Sequence, residues 1–245
     1  MAKIRLDQLL VERELAENRD QAKRLIMAGL VLVGDEKIEK AGTAVRADCP
    51  IRLKNHGKRF AGRGGLKLKA ALEHFSPRVK GVVALDLGAS TGGFTDCLLQ
   101  HGAARVYAVD VGTNQLVYSL RTDPRVVCLE RTHAKKLCPA LIPEKIDFLT
   151  VDVSFTSLRY VLPFAKPLLA PSARAVVLVK PQFEVGRERV KPGGLVDEED
   201  ANAVTRDMAR WFENDGIRVL GTLECPVKGR DGNREFLFYL GFEPA

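Results

Sequence analysis

ALDLGASTGGFTDCLL, residues 84–99, is the most informative stretch of this chain for its fold. Its apolar beginning predicts a strand that ends at Asp86-Leu87-Gly88, and Gly92 and Gly93 predict a turn that opens a helix. In doubly wound sheets the first strand-to-helix turn lies at the carboxyl edge of the sheet, where glycines let a ligand approach the backbone. The stretch therefore predicts an α/β fold with a ligand site at this turn.

The residues around this stretch alternate apolar runs with intervals long enough for helices. Strands are predicted at 82–87, 106–109, 126–129, 148–151, 175–179 and 236–240. Asp197 is predicted to cap a helix that ends at Gly216 and places Trp211 in the core. Near-continuous apolar strands joined by helices are typical of a mostly parallel sheet covered on both faces.

The glycine spacing disfavours a dinucleotide site, because position 90 is Ser where the dinucleotide fingerprint needs its second glycine. Asp110 ends the next strand, where its carboxylate can accept hydrogen bonds from both ribose hydroxyls of a nucleoside. Together these features resemble the cofactor-binding half of Rossmann-like methyltransferases, with a purely structural tight turn as the alternative. The resemblance implies that S-adenosylmethionine is the cofactor and that it is bound by Asp86, Gly88, Ser90, Gly92, Gly93, Phe94 and Asp110. Glu130, at the end of the third strand, is either an adenine-pocket residue or a solvated charge.

The first sixty residues have a different pattern, which predicts helices near 5–14 and 18–29 and short strands near 30–33, 37–38 and 50–53. Residues 5–38, RLDQLLVERELAENRDQAKRLIMAGLVLVGDEKI, are similar to the RNA-binding module named after ribosomal protein S-four. That resemblance implies RNA contacts from Arg5, Arg19, Lys23 and Arg24. Ordinary solvated charges are the alternative.

A basic patch follows this region. Between residues 52 and 80 the chain carries nine basic residues and one acid, Glu73. Basic side chains among glycines can approach a phosphate backbone and release its counterions. Lys58, Arg59 and Arg63 are therefore predicted RNA contacts, and a solvated basic linker is the alternative. We predict an N-terminal α+β RNA-binding domain with a basic linker at 1–60, and the α/β domain at 61–245.

Composition limits the classes that remain. With 245 residues, 46% of them hydrophobic and 28% charged, the chain can build a globular core, which excludes a disordered or fibrous protein. No window approaches the roughly 20 apolar residues of a membrane span and no signal-peptide block is visible, so a cytoplasmic protein is expected. The five cysteines form no CxxC pair, which predicts buried thiols and neither a disulfide framework nor a metal site.

Four polar residues stand at the ends of predicted elements, namely Lys67, Asp152, Lys180 and Glu235, and each alone could be an ordinary helix or strand-end charge. Their order resembles the Lys-Asp-Lys-Glu catalytic tetrad of FtsJ-like ribose 2′-O-methyltransferases. The words RGGLKL, DLGASTGGFTD, AVDVG, DVSFTSL, VKPQFE and GNREF are similar to those of the TlyA or hemolysin-A-like family. That family joins an S-four-type module to an FtsJ-like domain, so the resemblance implies methylation of a ribose 2′-hydroxyl, of cytidine, in ribosomal RNA or ribosomal subunits.

The tetrad suits this reaction physically. The sulfonium methyl is already activated, whereas a ribose hydroxyl is a poor nucleophile, so the protein must align the two and help remove one proton. We expect Lys180 to accept that proton, because a lysine held away from water beside other cations can be neutral. Asp152 would orient Lys180, Lys67 would position the hydroxyl, and Glu235 would hold a lysine in an ion pair.

Two features depart from this simple reading. The chain has Arg131-Thr132-His133 where this family is expected to have an asparagine near 133, and the charged loop at 187–194 is a hypothetical lid over the RNA site. Three alternatives stay open: an RNA-binding protein with a vestigial methyltransferase domain, a membrane-active hemolysin, and methylation of protein or small molecules. The oligomeric state is left open.

Overall fold

The structure is a computed structural model that describes residues 3–13, 15–16, 18–53, 60–229 and 231–243. The chain divides into two compact units, Met1–Arg59 and Phe60–Ala245, and each is described by itself.

The first unit packs two helices against short antiparallel strands. Its elements are β1 (Lys3–Arg5), α1 (Leu6–Glu12), α2 (Arg19–Met27), β2 (Val31–Val33), β3 (Glu36–Ile38), β4 (Ala44–Arg46) and β5 (Ile51–Leu53). Strands β3, β2 and β5 form one sheet, and β1 pairs with β4 in a separate ribbon. The predicted Asn18 cap is confirmed, because its side chain accepts a hydrogen bond from the Gln21 amide. A small core centred on Leu6, Leu10 and Ile26 holds the unit together.

The second unit contains a seven-stranded sheet flanked by helices. Its elements are α3 (Gly64–Phe75), β6 (Val83–Leu87), α4 (Gly93–Gln100), β7 (Arg105–Val109), α5 (Tyr118–Arg121), β8 (Val126–Leu129), β9 (Ile146–Val151), α6 (Leu158–Ala165), β10 (Leu169–Val179), α7 (Pro181–Glu184), α8 (Glu198–Asn214), β11 (Arg218–Glu224) and β12 (Phe236–Gly241), with short 3₁₀ turns at Ala134–Lys136, Lys166–Leu168 and Arg187–Arg189. The strand order is β11-β12-β10-β9-β6-β7-β8.

Strands β10, β9, β6, β7 and β8 are parallel, whereas β12 and β11 add to the β10 edge in antiparallel pairing. Alternate side chains of the sheet enter two separate cores. Leu85 and Leu149 pack with α6 and α8 on one face, and Ala84 and Phe148 pack with α3 and α4 on the other. The predicted α/β Rossmann-like fold, with a mostly parallel sheet covered on both faces, is confirmed.

Several local predictions need correction. Asp197 precedes α8 as expected but makes no capping bond, because its carboxylate pairs with Lys191 at 2.6 Å. Trp211 lies only partly buried against the core, next to Phe212 and under the Arg159 guanidinium. The cysteines are free, but those at 49, 128 and 138 are half-buried, and burial is complete only for those at 97 and 225.

Candidate active site

The turn between β6 and α4 brings two strand ends into close contact. Gly88 has φ +84°, and a Cβ at this position would lie 2.5 Å from the carbonyl oxygen of Asp152, at the end of β9. Gly93, the first residue of α4, likewise permits a close approach, since a Cβ there would lie 2.8 Å from the amide nitrogen of Gly65. These glycines bring the ends of β6 and β9 and the start of α3 together around one space.

Asp86, near the end of β6, links this turn to α4 and β9 by hydrogen bonds. Its carboxylate is fully buried and accepts hydrogen bonds from the hydroxyls of Thr95 at 2.7 Å and Thr150 at 2.9 Å. Burial raises the pKa of Asp86 to about 6, against the bonds from these hydroxyls, which lower it. The side chain therefore lines none of the three cavities described below, contrary to the expectation that it contacts a cofactor. Gly92 is likewise outside these cavities.

A cavity of about 460 Å³ runs along the carboxyl edge of the sheet between β6, β7 and β9. Gly88, Ser90 and Asp110 line it together with apolar side chains such as Val109 and Val153. Asp110 Oδ2 accepts from the Ser90 amide at 2.8 Å, and Oδ1 accepts from the Gly112 amide at 2.7 Å. The cavity has a volume within the range of small-ligand sites, and its lining combines polar and apolar groups, as a site for a nucleoside-sized ligand requires.

Glu130 shapes the wall of this cavity without lining it. Its carboxylate accepts bonds from the backbone amides of Asn114, Gln115 and Leu116, and it pairs with Arg121 at 3.0 Å. Those amide bonds, from Leu116 first, hold the pKa of Glu130 below its usual range. Glu130 is therefore not a freely solvated charge, and its role in an adenine pocket stays a prediction.

The position where an asparagine was expected does reach the cavity. His133 is among its lining residues, and the ring Nδ1 accepts a bond from the Lys135 amide at 3.2 Å. This bond places the proton of the neutral ring on Nε2, which makes that nitrogen a donor.

All four residues of the predicted tetrad line a second cavity of about 420 Å³. Within it, Lys67 Nζ and Glu235 Oε2 lie 2.5 Å apart, and only 11% of the lysine side chain and 3% of the glutamate side chain are exposed. Lys67 comes from the second turn of α3, and Glu235 immediately precedes β12. A buried pair of this kind must remain paired, because an isolated charge in the interior is costly.

The other two tetrad residues meet beside the first cavity. Lys180 Nζ lies 2.6 Å from Asp152 Oδ1 and donates a hydrogen bond to Ser154 Oγ at 3.0 Å. The contact with Asp152 has ion-pair distance but not hydrogen-bond alignment, so no donor among the described residues bonds this buried Oδ1. A smaller cavity that includes Gly64, Ser90, Phe94, Asp152 and Lys180 joins the two larger ones.

An aromatic residue that the sequence did not predict for the site lies at this junction. Phe155 has φ +63°, exposes 91% of its surface and lines both larger cavities, with its ring 5.3 Å from that of Phe183. Positive φ is rare for a bulky residue and is often retained at functional sites. Its position four residues after the end of β9 was the available sequence signal.

Glu184 and Ser157 connect the two loops that carry these groups. Glu184 accepts a bond from the Ser157 hydroxyl at 2.6 Å and another from the Leu158 amide at 2.8 Å. Burial raises the pKa of Glu184. Its carboxylate thereby ties the segment after β10 to the start of α6. Neither residue was recognised from the sequence, because its role depends on the packing of two distant loops.

The loop at 187–194 lies on the second cavity through Val190 and Gly194. Buried Asn233 donates to the Gly194 carbonyl at 2.7 Å and accepts from the Val196 amide at 3.0 Å. The end of the loop is therefore anchored near Glu235. A lid function stays a prediction.

The predicted RNA contacts are distributed over both units. Arg63 lines the second cavity, and Lys58 and Arg59 lie outside the described residues. In the first unit Arg24 is exposed and Lys23 pairs with Asp20, while Arg5 and Arg19 both pair with Asp7.

A search of the described part of the chain finds no group of three or more side chains suited to hold a metal ion. The helices in that part of the chain also include none that is both long and apolar enough to cross a membrane.

A mostly parallel sheet with a cavity at its carboxyl edge is typical of Rossmann-like folds. A structure from Listeria monocytogenes, described as a candidate S-adenosylmethionine-dependent methyltransferase, shares this fold with a TM-score of 0.55 at 16% identity, over 74% of this chain and 98% of that chain. The chain belongs to the FtsJ-like methyltransferase family, whose model matches residues 60–242, and an S4 domain matches residues 4–48.

Relatives resemble the chain over nearly its whole length. The 16S/23S rRNA (cytidine-2′-O)-methyltransferase TlyA of Mycobacterium tuberculosis is 44% identical over 238 residues, covering 96% of this chain and 89% of that protein. Hemolysin A of Brachyspira hyodysenteriae is 37% identical over 236 residues, covering 96% and 98%. A structure from Streptococcus thermophilus, described as a candidate hemolysin, has a TM-score of 0.74 at 41% identity, covering 100% of this chain and 90% of that chain.

Proposed function

We propose that the chain transfers a methyl group from S-adenosylmethionine to a ribose 2′-hydroxyl of ribosomal RNA, with cytidine as the target nucleoside. The observation that carries the proposal is the meeting of Lys67, Asp152, Lys180 and Glu235 at one cavity, which is joined to a second, nucleoside-sized cavity. The similarity to TlyA supports the choice of substrate.

The residues present fit S-adenosylmethionine. Asp110 would accept bonds from the ribose hydroxyls, while Val109 and Val153 offer apolar surface for the adenine. Asp152 Oδ1, which is buried without an aligned donor, offers negative charge at the other end, next to Gly88. When bound, the cofactor supplies a methyl group already activated by its sulfonium charge.

Lys180 is the residue we assign to proton removal. Its Nζ lies between Asp152 Oδ1 and Ser154 Oγ, and these two neighbours fix the direction of the nitrogen toward the second cavity. For this step Lys180 must be in its neutral form: the methyl carbon would leave the sulfonium sulfur, which becomes a neutral thioether, as it bonds the 2′-oxygen, and the hydroxyl proton would pass to Lys180 Nζ and then to solvent. Alignment of the hydroxyl accounts for the remaining rate enhancement.

Lys67 has a different role, because its ammonium is already paired with Glu235. Held by this ion pair, the Lys67 ammonium can donate a hydrogen bond to the 2′-oxygen as negative charge develops there. Glu235 positions Lys67 and does not touch the substrate in this proposal.

The RNA is held by groups outside the tetrad. The exposed ring of Phe155 offers a face on which a base can stack, and Arg63 offers a cation to the neighbouring phosphate. The S4 domain would recognise structured RNA. Because ribosomal RNA or ribosomal subunits are the proposed partners, we place the reaction in the cytoplasm.

The proposal is tested by transfer of labelled methyl from S-adenosylmethionine to unmodified small and large ribosomal subunits. Lys180→Met should reduce the rate about a hundredfold or more while S-adenosylmethionine still binds. The matched control is Lys145→Met, since Lys145 is exposed, lies at the opposite edge of the sheet and bonds only the Pro167 carbonyl among the contacts described. Lys145→Met should transfer methyl at the wild-type rate.

Two outcomes would contradict the proposal. Lys180→Met could transfer methyl at the wild-type rate, which would remove Lys180 from the reaction. The wild-type protein could instead bind S-adenosylmethionine and RNA without transfer to either subunit, which would favour an RNA-binding protein with a vestigial methyltransferase domain.

A further inference from the structure

Among the described residues of the first unit, Asp7 in the first turn of α1 has a fully buried carboxylate. Two arginines from different elements bond it. Arg5 donates from Nε to Oδ1 and from Nη2 to Oδ2, both at 3.0 Å, and Arg19 donates from Nη2 to the same Oδ2 at 3.1 Å. Asp7 thus joins β1, α1 and α2 through three charge-assisted hydrogen bonds.

The charge on Asp7 is maintained by these contacts. The hydrogen bond from Arg5, assisted by Arg19, lowers the pKa of Asp7 to about 2 against the opposing effect of burial. Burying an ionised carboxylate is costly, and an apolar residue would fill such a position at least as well for stability alone. The arrangement therefore suggests a use for the two arginines beyond packing.

Both guanidinium groups remain accessible from outside. Arg5 exposes 52% of its side chain and Arg19 exposes 54%, although their partner carboxylate is fully buried. Because the two Nη2 atoms bond one oxygen, the guanidinium groups lie close to each other with their directions set by Asp7.

The neighbouring ribbon extends the same positive surface. Lys3 lies directly opposite Arg46 in the pairing of β1 with β4, and Arg5, two residues after Lys3, shares their face. All of these side chains are exposed. Lys3, Arg5, Arg19 and Arg46 form a surface that we call the arginine face.

We propose that Asp7 is a positioning residue that holds Arg5 and Arg19 as a fixed pair to bind one phosphate of the RNA backbone. The inference rests on the proposed function for the identity of the partner as RNA. A phosphate offers several acceptor oxygens to two guanidinium groups, and pairing them beforehand reduces the side-chain entropy lost on binding. Arg46 bonds exposed Asp48, and among the described residues no second arginine donates a hydrogen bond to that carboxylate, so Arg46 would add charge without this fixed geometry.

The test compares two variants of the full-length protein that remove the same charge. Asp7→Asn removes the buried carboxylate, and Asp48→Asn removes the exposed one, which bonds Arg46 across the same two-residue spacing. Binding of unmodified 16S and 23S RNA transcripts is measured from 50 to 300 mM salt, and S-adenosylmethionine binding is measured by calorimetry.

If Asp7 and Asp48 affect RNA binding only through their charge, each variant should bind RNA more tightly. Each variant removes one negative charge and so raises the net charge of the protein by one. The positioning role predicts that Asp7→Asn weakens RNA binding about tenfold, equivalent to about 1.4 kcal/mol. It also predicts a salt dependence reduced by about one phosphate contact. Asp48→Asn should bind RNA at least as well as the wild type. Equal or tighter RNA binding by folded Asp7→Asn would overturn the proposal.

A second variant covers the case in which Asp7→Asn does not fold, as judged by circular dichroism. Arg19→Gln leaves the Arg5 pair with Asp7 in place, and it should lower both RNA affinity and the salt dependence. Unchanged affinity in Arg19→Gln would overturn the proposal. Failure of the proposed function is distinguishable, because the wild-type protein would then bind RNA with this pattern but transfer no methyl group.

Discussion

The buried pair of Lys67 and Glu235 allows a quantitative test of the site. Glu235→Gln removes the carboxylate that lies 2.5 Å from Lys67 Nζ and leaves an ammonium group with an 11% exposed side chain. Breaking a buried ion pair by removing one partner costs about 3–5 kcal/mol, and the remaining amide oxygen favours the lower end, about 3 kcal/mol.

Urea unfolding followed by tryptophan fluorescence measures this loss. Trp211 is the single tryptophan of the chain and lies in α8, so its signal reports the unit that contains the pair. The matched control is Glu73→Gln, which breaks the exposed pair of Lys69 and Glu73 on the same helix, α3, with an Nζ–Oε1 distance of 3.2 Å. That exposed pair should contribute no more than about 0.5 kcal/mol.

The double variant Lys67→Met/Glu235→Gln separates stability from activity. Removing both charges should restore stability close to that of the wild type, because no unpaired charge remains buried. Methyl transfer should remain strongly reduced, since the Lys67 ammonium no longer faces the 2′-oxygen. The reasoning is refuted if Glu235→Gln unfolds like the control variant, or if the double variant transfers methyl at the wild-type rate.

Three further predictions concern the cofactor side of the site. Gly88→Ala should abolish S-adenosylmethionine binding in calorimetry, because the added Cβ would lie 2.5 Å from the Asp152 carbonyl at a residue with φ +84°. Asp110→Asn should weaken that binding about tenfold, because an amide nitrogen cannot accept the bonds that the carboxylate accepts from two backbone amides. Asp86 has a folded-state pKa raised to about 6 from 3.8, so its contribution to stability should fall as the pH rises between those values, and Asp86→Asn should remove that slope in Trp211-monitored unfolding.

The central fold could be predicted because its signals are local. The parallel strands are short apolar runs, and the glycines at 88 and 92–93 mark the turn where the ligand cavity is found. Strand β11 was missed because it is an antiparallel edge strand whose side chains are exposed or half-buried, without an apolar run. Strands β1 and β4 were also not predicted, because each has only three residues and carries charged side chains.

The residues of the site could be predicted from the sequence, but their burial and hydrogen bonds could not. The tetrad residues, far apart in the sequence, were assigned by resemblance, and the structure brings all of them to one cavity. The burial of Asp86 and the amide bonds of Glu130 depend on how loops pack, which no spacing reveals. For the same reason the bonds from Arg5 and Arg19 to Asp7 could not be predicted, although the resemblance implied that both arginines contact RNA.

The most direct test of the proposed activity is the identity of the methylated nucleoside. Unmodified ribosomal subunits are incubated with the protein and S-adenosylmethionine, their RNA is digested to nucleosides, and the products are separated by mass spectrometry. The account predicts 2′-O-methylcytidine, with the added mass on the ribose fragment, and its loss in Lys180→Met. A methyl group on the base fragment, or product formation that persists in Lys180→Met, would contradict it.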